Sequence, residues 1–191
     1  MAKLLTAAES PKKWADSGQA IEIAEEISAF PKLAEALGKE LGRIAAAQHP
    51  ANWKQTAVSG RIDFDFADAQ SDNVVATVEA RTVVPLLCQR CLEAFCEPLE
   101  IDTRLAFVRR DEPSGRSGYE DWELDEEVVR PLDLADELLV MALPFAAMHD
   151  NANCSAGATD DTPETEETVR PFADLRAQME AASTPDEPAK D

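Results

Sequence analysis

The chain has 191 residues, 45% of them hydrophobic and 29% charged, which suits one core of ordinary size plus a tail and excludes two large domains. Its longest nearly apolar run, 138–148, contains Pro144 and falls short of the roughly 18–20 residues that cross a bilayer, which excludes a membrane-spanning chain. The formal net charge of −20 excludes a broad grip on phosphate backbones and favours basic partners. The charge is lopsided: residues 1–110 carry 13 basic and 16 acidic side chains, residues 111–191 carry 5 and 22. The opening MAKLLTAAESPKKW has no apolar signal core, so the cytoplasm is the expected compartment.

In chain order, Pro31 stands at a first helical position, and Leu33, Leu37, Leu41 and Ile44 share one face, which predicts a packing helix over about 31–47. Gly38 and Gly42 weaken it by about 1 kcal/mol each against Ala, so it depends on packing. The period then changes to two. RIDFDF (61–66) and VVATVEARTVVP (74–85) predict an antiparallel pair, joined by the turn formers of AQSDN. LEIDTRLAFV (99–108) predicts a third strand, so a β-meander over about 58–110 is expected with CQRC at one of its turns. One sheet face is apolar and the other solvated, because Ile62, Phe64 and Phe66 alternate with Asp63 and Asp65.

Residues 111–127 read as an acidic loop that builds no core, with a short strand around 119–124. Asp133 offers an N-cap and Asp136 a capping box to a second helix over about 133–143, whose Leu134, Leu138 and Met141 share a face and which Pro144 ends. The fold class is therefore α+β: an antiparallel meander packed by an N-terminal and a C-terminal helix in one domain, 1–154. A mostly disordered acidic tail follows over 155–191. Within it Phe172, Leu175 and Met179 form an apolar stripe that predicts a short docking helix over 170–181.

Cysteines stand at 88, 91, 96 and 154 in a chain without a secretion signal, which points to metal or redox chemistry before a disulfide framework. Cys88 and Cys91, as a C-x2-C at a strand turn, aim two thiolates at one tetrahedral ion. His149 and Cys154 are the neighbouring pair that completes a Cys3His set for zinc. Cys96 reads as a small buried hydrophobe beside Phe95, and His49 as a loop residue at a helix end. Redox use of Cys88 and Cys91 wants a helix N-terminus that the flanking strands do not supply. A Cys–His nucleophile lacks both an orienting third residue and a glycine-rich turn, and no phosphate-cradling motif occurs. An enzyme and a small-molecule substrate are not expected.

LLCQRCLEAF (86–95), PLDLADELLVMALPFAAMHDNANC (131–154) and RPFADLRAQM (170–179) together resemble the YceD family, the large ribosomal RNA subunit accumulation proteins, over about 58–179. The resemblance implies a cytoplasmic protein needed for synthesis, processing or stability of 23S rRNA, with no established enzymatic activity. It aligns the family's cysteine-rich motif with Cys88, Arg90 and Cys91, and the family's C-terminal His and Cys with His149 and Cys154. Direct RNA contact by so acidic a chain has to be confined to a basic patch, for which Arg81, Arg90, Arg104, Arg109 and Arg110 are the candidates, ion pairing on a solvated sheet face being their plainer role. The reading that results is a noncatalytic ribosome-biogenesis factor. Its acidic segments dock a ribosomal protein or a pre-50S assembly intermediate, with 23S rRNA engaged indirectly. An RNA-binding module using the arginines, or a thiol redox protein using Cys88 and Cys91, is the alternative.

Overall fold

A computed structural model describes residues 2–68, 73–109, 113–124, 127–149 and 154. The element order is α1 (Ala2–Leu5), α2 (Pro11–Ser17), β1 (Ile21–Glu26), α3 (Pro31–Leu41), β2 (Ala57–Phe66), β3 (Val74–Leu87), β4 (Ala94–Val108), β5 (Glu120–Glu123) and α4 (Pro131–Met141). One five-stranded sheet runs β1-β2-β3-β4-β5. Its first four strands pair antiparallel, and β5 lies parallel to β4. The α+β class with an N-terminal and a C-terminal helix on the sheet is thus the observed one. No helix among the described residues is long and apolar enough to cross a membrane. The expected tail, including Phe172, Leu175 and Met179, lies outside the described residues, as does most of the AQSDN connection.

Strand alternation decides which residues the helices cover. Ile21, Ile23, Val58, Ile62, Phe64, Val78, Leu99, Ile101 and Leu105 are buried with Leu33 and Leu37 of α3 and Leu134, Leu138 and Leu139 of α4 in one core. The intervening residues, among them Glu22, Arg61, Glu79, Arg81, Glu100 and Asp102, stay exposed on the other face. Gly60 pairs with Ala80 across β2 and β3, and a Cβ there would come 2.1 Å from the Glu79 carbonyl oxygen. Only glycine fits that approach. Gly60→Ala is expected to destabilise the fold by about 3 kcal/mol, the upper end for overpacking, as a urea titration would show.

Five expectations are corrected. The sequence reading stops short of β1, α1 and α2. β1 is recognisable only by its pairing with β2, which places Ile21 opposite Ile62. The first helix ends at Leu41 rather than 47, because Gly42 caps it; Ile44 lies beyond it and is only half-buried. The 111–127 segment does contribute to the core, since Trp122 and Leu124 pack against it. Met141 is 66% exposed, at the last turn, where the buried stripe of α4 has run out. The fifth concerns α4 itself, which starts two residues early at Pro131, so neither acid caps its own helix.

Asp136 instead caps α3. Its carboxylate accepts from the Lys32 and Leu33 backbone N–H groups at 2.8 and 2.9 Å, two donors that the first turn of any helix leaves without intrahelical partners. Burial pushes the Asp136 carboxyl above its ordinary value, opposed by those same two hydrogen bonds. Asp136→Ala strands both donors at a helix–helix contact and should cost about 2 kcal/mol, read from thermal or urea unfolding. Asp136→Asn keeps one acceptor and should cost less.

Candidate metal centre

The connection between β3 and β4 carries the first two candidate ligands. The Cys88 N–H donates to the Glu93 carbonyl at 3.0 Å, and the Leu92 N–H donates back to the Cys88 carbonyl at 2.8 Å. Leu92, directly after Cys91, holds φ of 60°, a left-handed backbone that bulky residues rarely adopt, and its side chain is 64% exposed. The strain buys a hairpin end that presents both thiols of residues 88–91 toward the chain following α4.

That following chain is held by main-chain contacts. The Gln89 N–H donates to the Ala147 carbonyl at 2.9 Å, and the Arg90 guanidinium donates to the His149 carbonyl at 3.0 Å. The ring of Phe95 stands edge-on to the His149 imidazole at 5.3 Å between centroids. Sequence pattern alone offers nothing for these contacts, because each joins residues more than 50 positions apart.

The result is a four-residue cluster. The ligand atoms of Cys88, Cys91, His149 and Cys154 all lie within 4.8 Å of one another, with Cys88 and Cys154 buried and the other two half-buried. The Cys88 and Cys154 sulfurs are 3.2 Å apart, and the Cys91 sulfur is 3.8 Å from His149 Nε2. A tetrahedral zinc with Zn–S bonds of about 2.3 Å sets its ligand atoms about 3.8 Å from one another, so the observed separations bracket what such an ion needs. A second observation agrees with the donor chemistry: His149 Nδ1 is buried and has no hydrogen-bond partner among the described residues. An imidazole is rarely left so unless something beyond the protein satisfies the ring. These four residues can hold a metal.

The electrostatics separate the two close thiols. Burial pushes Cys88 up, but the Cys91 backbone N–H, the Cys154 thiol and the Arg90 and His149 backbone outweigh it, lowering Cys88 to about 5. The Cys154 thiol, donating to Cys88 and buried, is raised to about 11. The two close sulfurs thus titrate as a pair, with Cys88 the more acidic member. Cys96 takes no part. It is exposed rather than buried, because the inward phase of β4 belongs to Phe95, Leu99 and Ile101, and Cys96 falls on the opposite face. His49 sits apart from the cluster, its Nε2 3.3 Å from the Ile44 carbonyl oxygen.

Among the described residues, the candidate arginines do not form one patch. Arg81 and Arg104 lie on the uncovered sheet face, opposite Glu100 and Thr77 respectively, and Arg81 Nε donates to the Ser59 hydroxyl at 3.4 Å. Arg90 belongs to the metal-cluster connection, where it braces His149. Arg109 stands past the end of β4, at the far end of the hairpin from Arg90, and Arg110 lies outside the described residues.

No solved structure matches the chain. A family model described as "Large ribosomal RNA subunit accumulation protein YceD" matches residues 76–179, more than half of the chain. The matched span takes in the hairpin with Cys88 and Cys91, α4, and the segment with His149 and Cys154, so all four cluster residues lie within it. The chain belongs to the YceD family, whose name ties it to accumulation of the large ribosomal subunit RNA.

Proposed function

We propose that this protein is a noncatalytic assembly factor for the large ribosomal subunit. Zinc bound by Cys88, Cys91, His149 and Cys154 fixes one end of its sheet, and its acidic surface docks a basic ribosomal protein or a pre-50S intermediate. 23S rRNA then accumulates because its protein partner is delivered or held. The zinc, when bound, supplies a rigid tetrahedral tie and no reaction. The chain's own residues do the remaining work: Arg90 and Gln89 hold the segment after α4 against the hairpin end, and Phe95 packs the imidazole.

The observation that carries the docking half is the charge of the uncovered sheet face. Glu22, Glu26, Asp65, Glu79, Glu100 and Asp102 are exposed there against Arg61, Arg81 and Arg104, and Arg61 is already engaged by Asp63 and Glu22. Such a face attracts a lysine- and arginine-rich surface and repels an RNA strand laid across it. The arginine-patch reading loses support accordingly, since Arg81 and Arg104 are embedded among acids. A Cys88–Cys91 redox couple also has little support, because the nearest thiol to Cys88 is Cys154.

A tagged full-length protein recovered from lysate with and without nuclease tests this reading. Basic large-subunit proteins, identified by mass spectrometry, should remain bound after RNA digestion. Loss of every one of them with the RNA would overturn protein docking.

A further inference from the structure

β5 covers only one end of the strand it pairs with. β4 runs from Ala94 to Val108, and β5 lies along residues 105–108 alone, so among the described residues the outer edge of 94–104 is unpaired. Which residues turn their peptide groups to that edge follows from two prolines. Pro98 and, on β3, Pro85 have no N–H, and their pairs, Val83 with Pro98 and Pro85 with Cys96, share one phase of a ladder whose register is unbroken from Val75 and Ala106 to Leu87 and Ala94. Proline fits an antiparallel ladder only where its nitrogen points away from the partner strand, so the even-numbered residues of β4 aim N–H and C=O outward. The bonds at either end agree. The Glu93 carbonyl, of the odd phase, accepts from the Cys88 N–H on the β3 side, and the Val108 carbonyl, of the even phase, accepts from the Leu124 N–H just past β5. Cys96, Glu100 and Asp102 thus offer both donors and acceptors at the edge, and Pro98 an acceptor.

A row of alternating donors and acceptors is matched by another polypeptide strand; a nucleic-acid backbone, whose phosphates only accept, does not match it. Charge then selects among strands. Glu97, Glu100 and Asp102 lie within the free stretch against Arg104 at its end, and none of the three acids has a hydrogen bond or an ion pair among the described residues. A second copy of this chain paired there would bring the same three carboxylates of each copy to one seam, whereas a strand carrying Lys or Arg would set cations beside them. Glu100 and Asp102 share the uncovered face, and Leu99 and Ile101 the covered one, so the strand that fits alternates basic with apolar residues. At the end of the stretch, Asp102, Thr103 and Arg104 border a cavity of about 490 Å³ with Gly118, Tyr119 and Glu120, which gives that strand room as far as the start of β5. The other edge of the sheet, β1, has six residues and is shorter than 94–104.

We infer that β4 takes up an extended basic segment of a protein partner along residues 94–104, as a sixth strand on the five-stranded sheet. Its Lys or Arg residues stand beside Glu100 and Asp102, and its intervening apolar residues beside Leu99 and Ile101. The inference rests on the protein-docking reading and gives it a mode: backbone pairing at a sheet edge supplies the grip, and charge decides which strand is accepted. It does not depend on the metal.

A fluorescent nonapeptide of alternating Lys and Val, and the same peptide N-methylated throughout, test the inference by anisotropy with the full-length protein at 50 mM salt. The two peptides share charge and side chains and differ in the N–H groups that a ladder needs. The unmodified peptide should bind about tenfold or more tighter than the methylated one, and lose about tenfold or more on Glu100→Lys with Asp102→Lys. Asp16→Lys with Glu35→Lys, an equal change of charge at exposed helix positions, should leave binding nearly unchanged. Glu100 and Asp102 are exposed, so their reversal leaves the core intact, as circular dichroism would verify. Amide exchange followed by NMR should slow at Cys96, Glu100 and Asp102 when the peptide binds. Equal binding of the two peptides, or none by either, would overturn edge pairing, whereas the docking reading itself falls only with the loss of basic proteins from the nuclease-treated lysate. Slow exchange of those three amides in the free protein would show the edge closed by its own chain and overturn the proposal, as would protection on β1 in place of β4.

Discussion

Purified protein is expected to carry about one zinc per chain, and Cys88→Ser to lower both the metal content and the melting temperature. An ion present at about a thousand times its Kd adds about 4 kcal/mol to a fold that binds it only when folded. For a domain of this size that is a shift of about 8–16 °C in Tm, removable with a chelator and absent from the serine variant. The core of α3, α4 and the sheet does not pass through the cluster, so the apo protein should remain folded, with its losses concentrated at residues 88–93 and 147–149. A thiol binds the ion only as its thiolate, so affinity should fall as pH falls; dialysis at pH 5 should strip metal that dialysis at pH 8 retains. Elemental analysis beside calorimetry decides the matter: metal-free protein whose Tm ignores both chelator and Cys88→Ser would leave the cluster without an ion.

Neutralising the uncovered sheet face should slow capture of a basic partner more than any other surface change. Glu79→Gln, Glu100→Gln and Asp102→Asn together remove three carboxylates from adjacent β3 and β4 positions, where Glu79 and Asp102 are directly opposed in register. Electrostatic steering of this kind changes association rates by about tenfold or more and weakens steeply with salt. The association rate with basic large-subunit proteins, measured at 50 and 200 mM salt, should therefore drop in the triple variant and converge on wild type at the higher salt. Asp121→Asn, Glu123→Gln, Glu126→Gln and Glu127→Gln, which neutralise the acidic loop, should also slow association, while Arg104→Glu with Arg109→Glu should leave it largely intact. An unaffected rate in the sheet-face triple variant would remove that face from the docking surface.

Much of the fold is periodic and hence local. Leu33, Leu37 and Leu41 predict a helical face and are buried; alternation in 61–66 and 74–85 predicts strands that β2 and β3 contain. The C-x2-C spacing, and the Leu-Pro, His and Cys that follow an acidic-start helix, could be read as two halves of one set because thiol and imidazole chemistry is rare in this chain, with four Cys and two His. Composition likewise carries the acidic character, with 38 acidic against 18 basic side chains.

What the amino-acid order by itself determined is therefore the helices and strands with strong periodicity, the family, and the candidate ligands. Tertiary structure alone decided the rest, because it depends on which distant segments meet. β1 is a strand by virtue of β2, whose paired residues stand 31 to 41 positions further along the chain, and β5 runs parallel to β4 instead of extending the meander. Asp136, which looks like a cap for its own helix, satisfies the N-terminus of a helix 104 residues earlier, since backbone donors there have no nearer acceptor. Cys96 is exposed because a strand's period of two leaves it on the solvent face, whatever its apolar character.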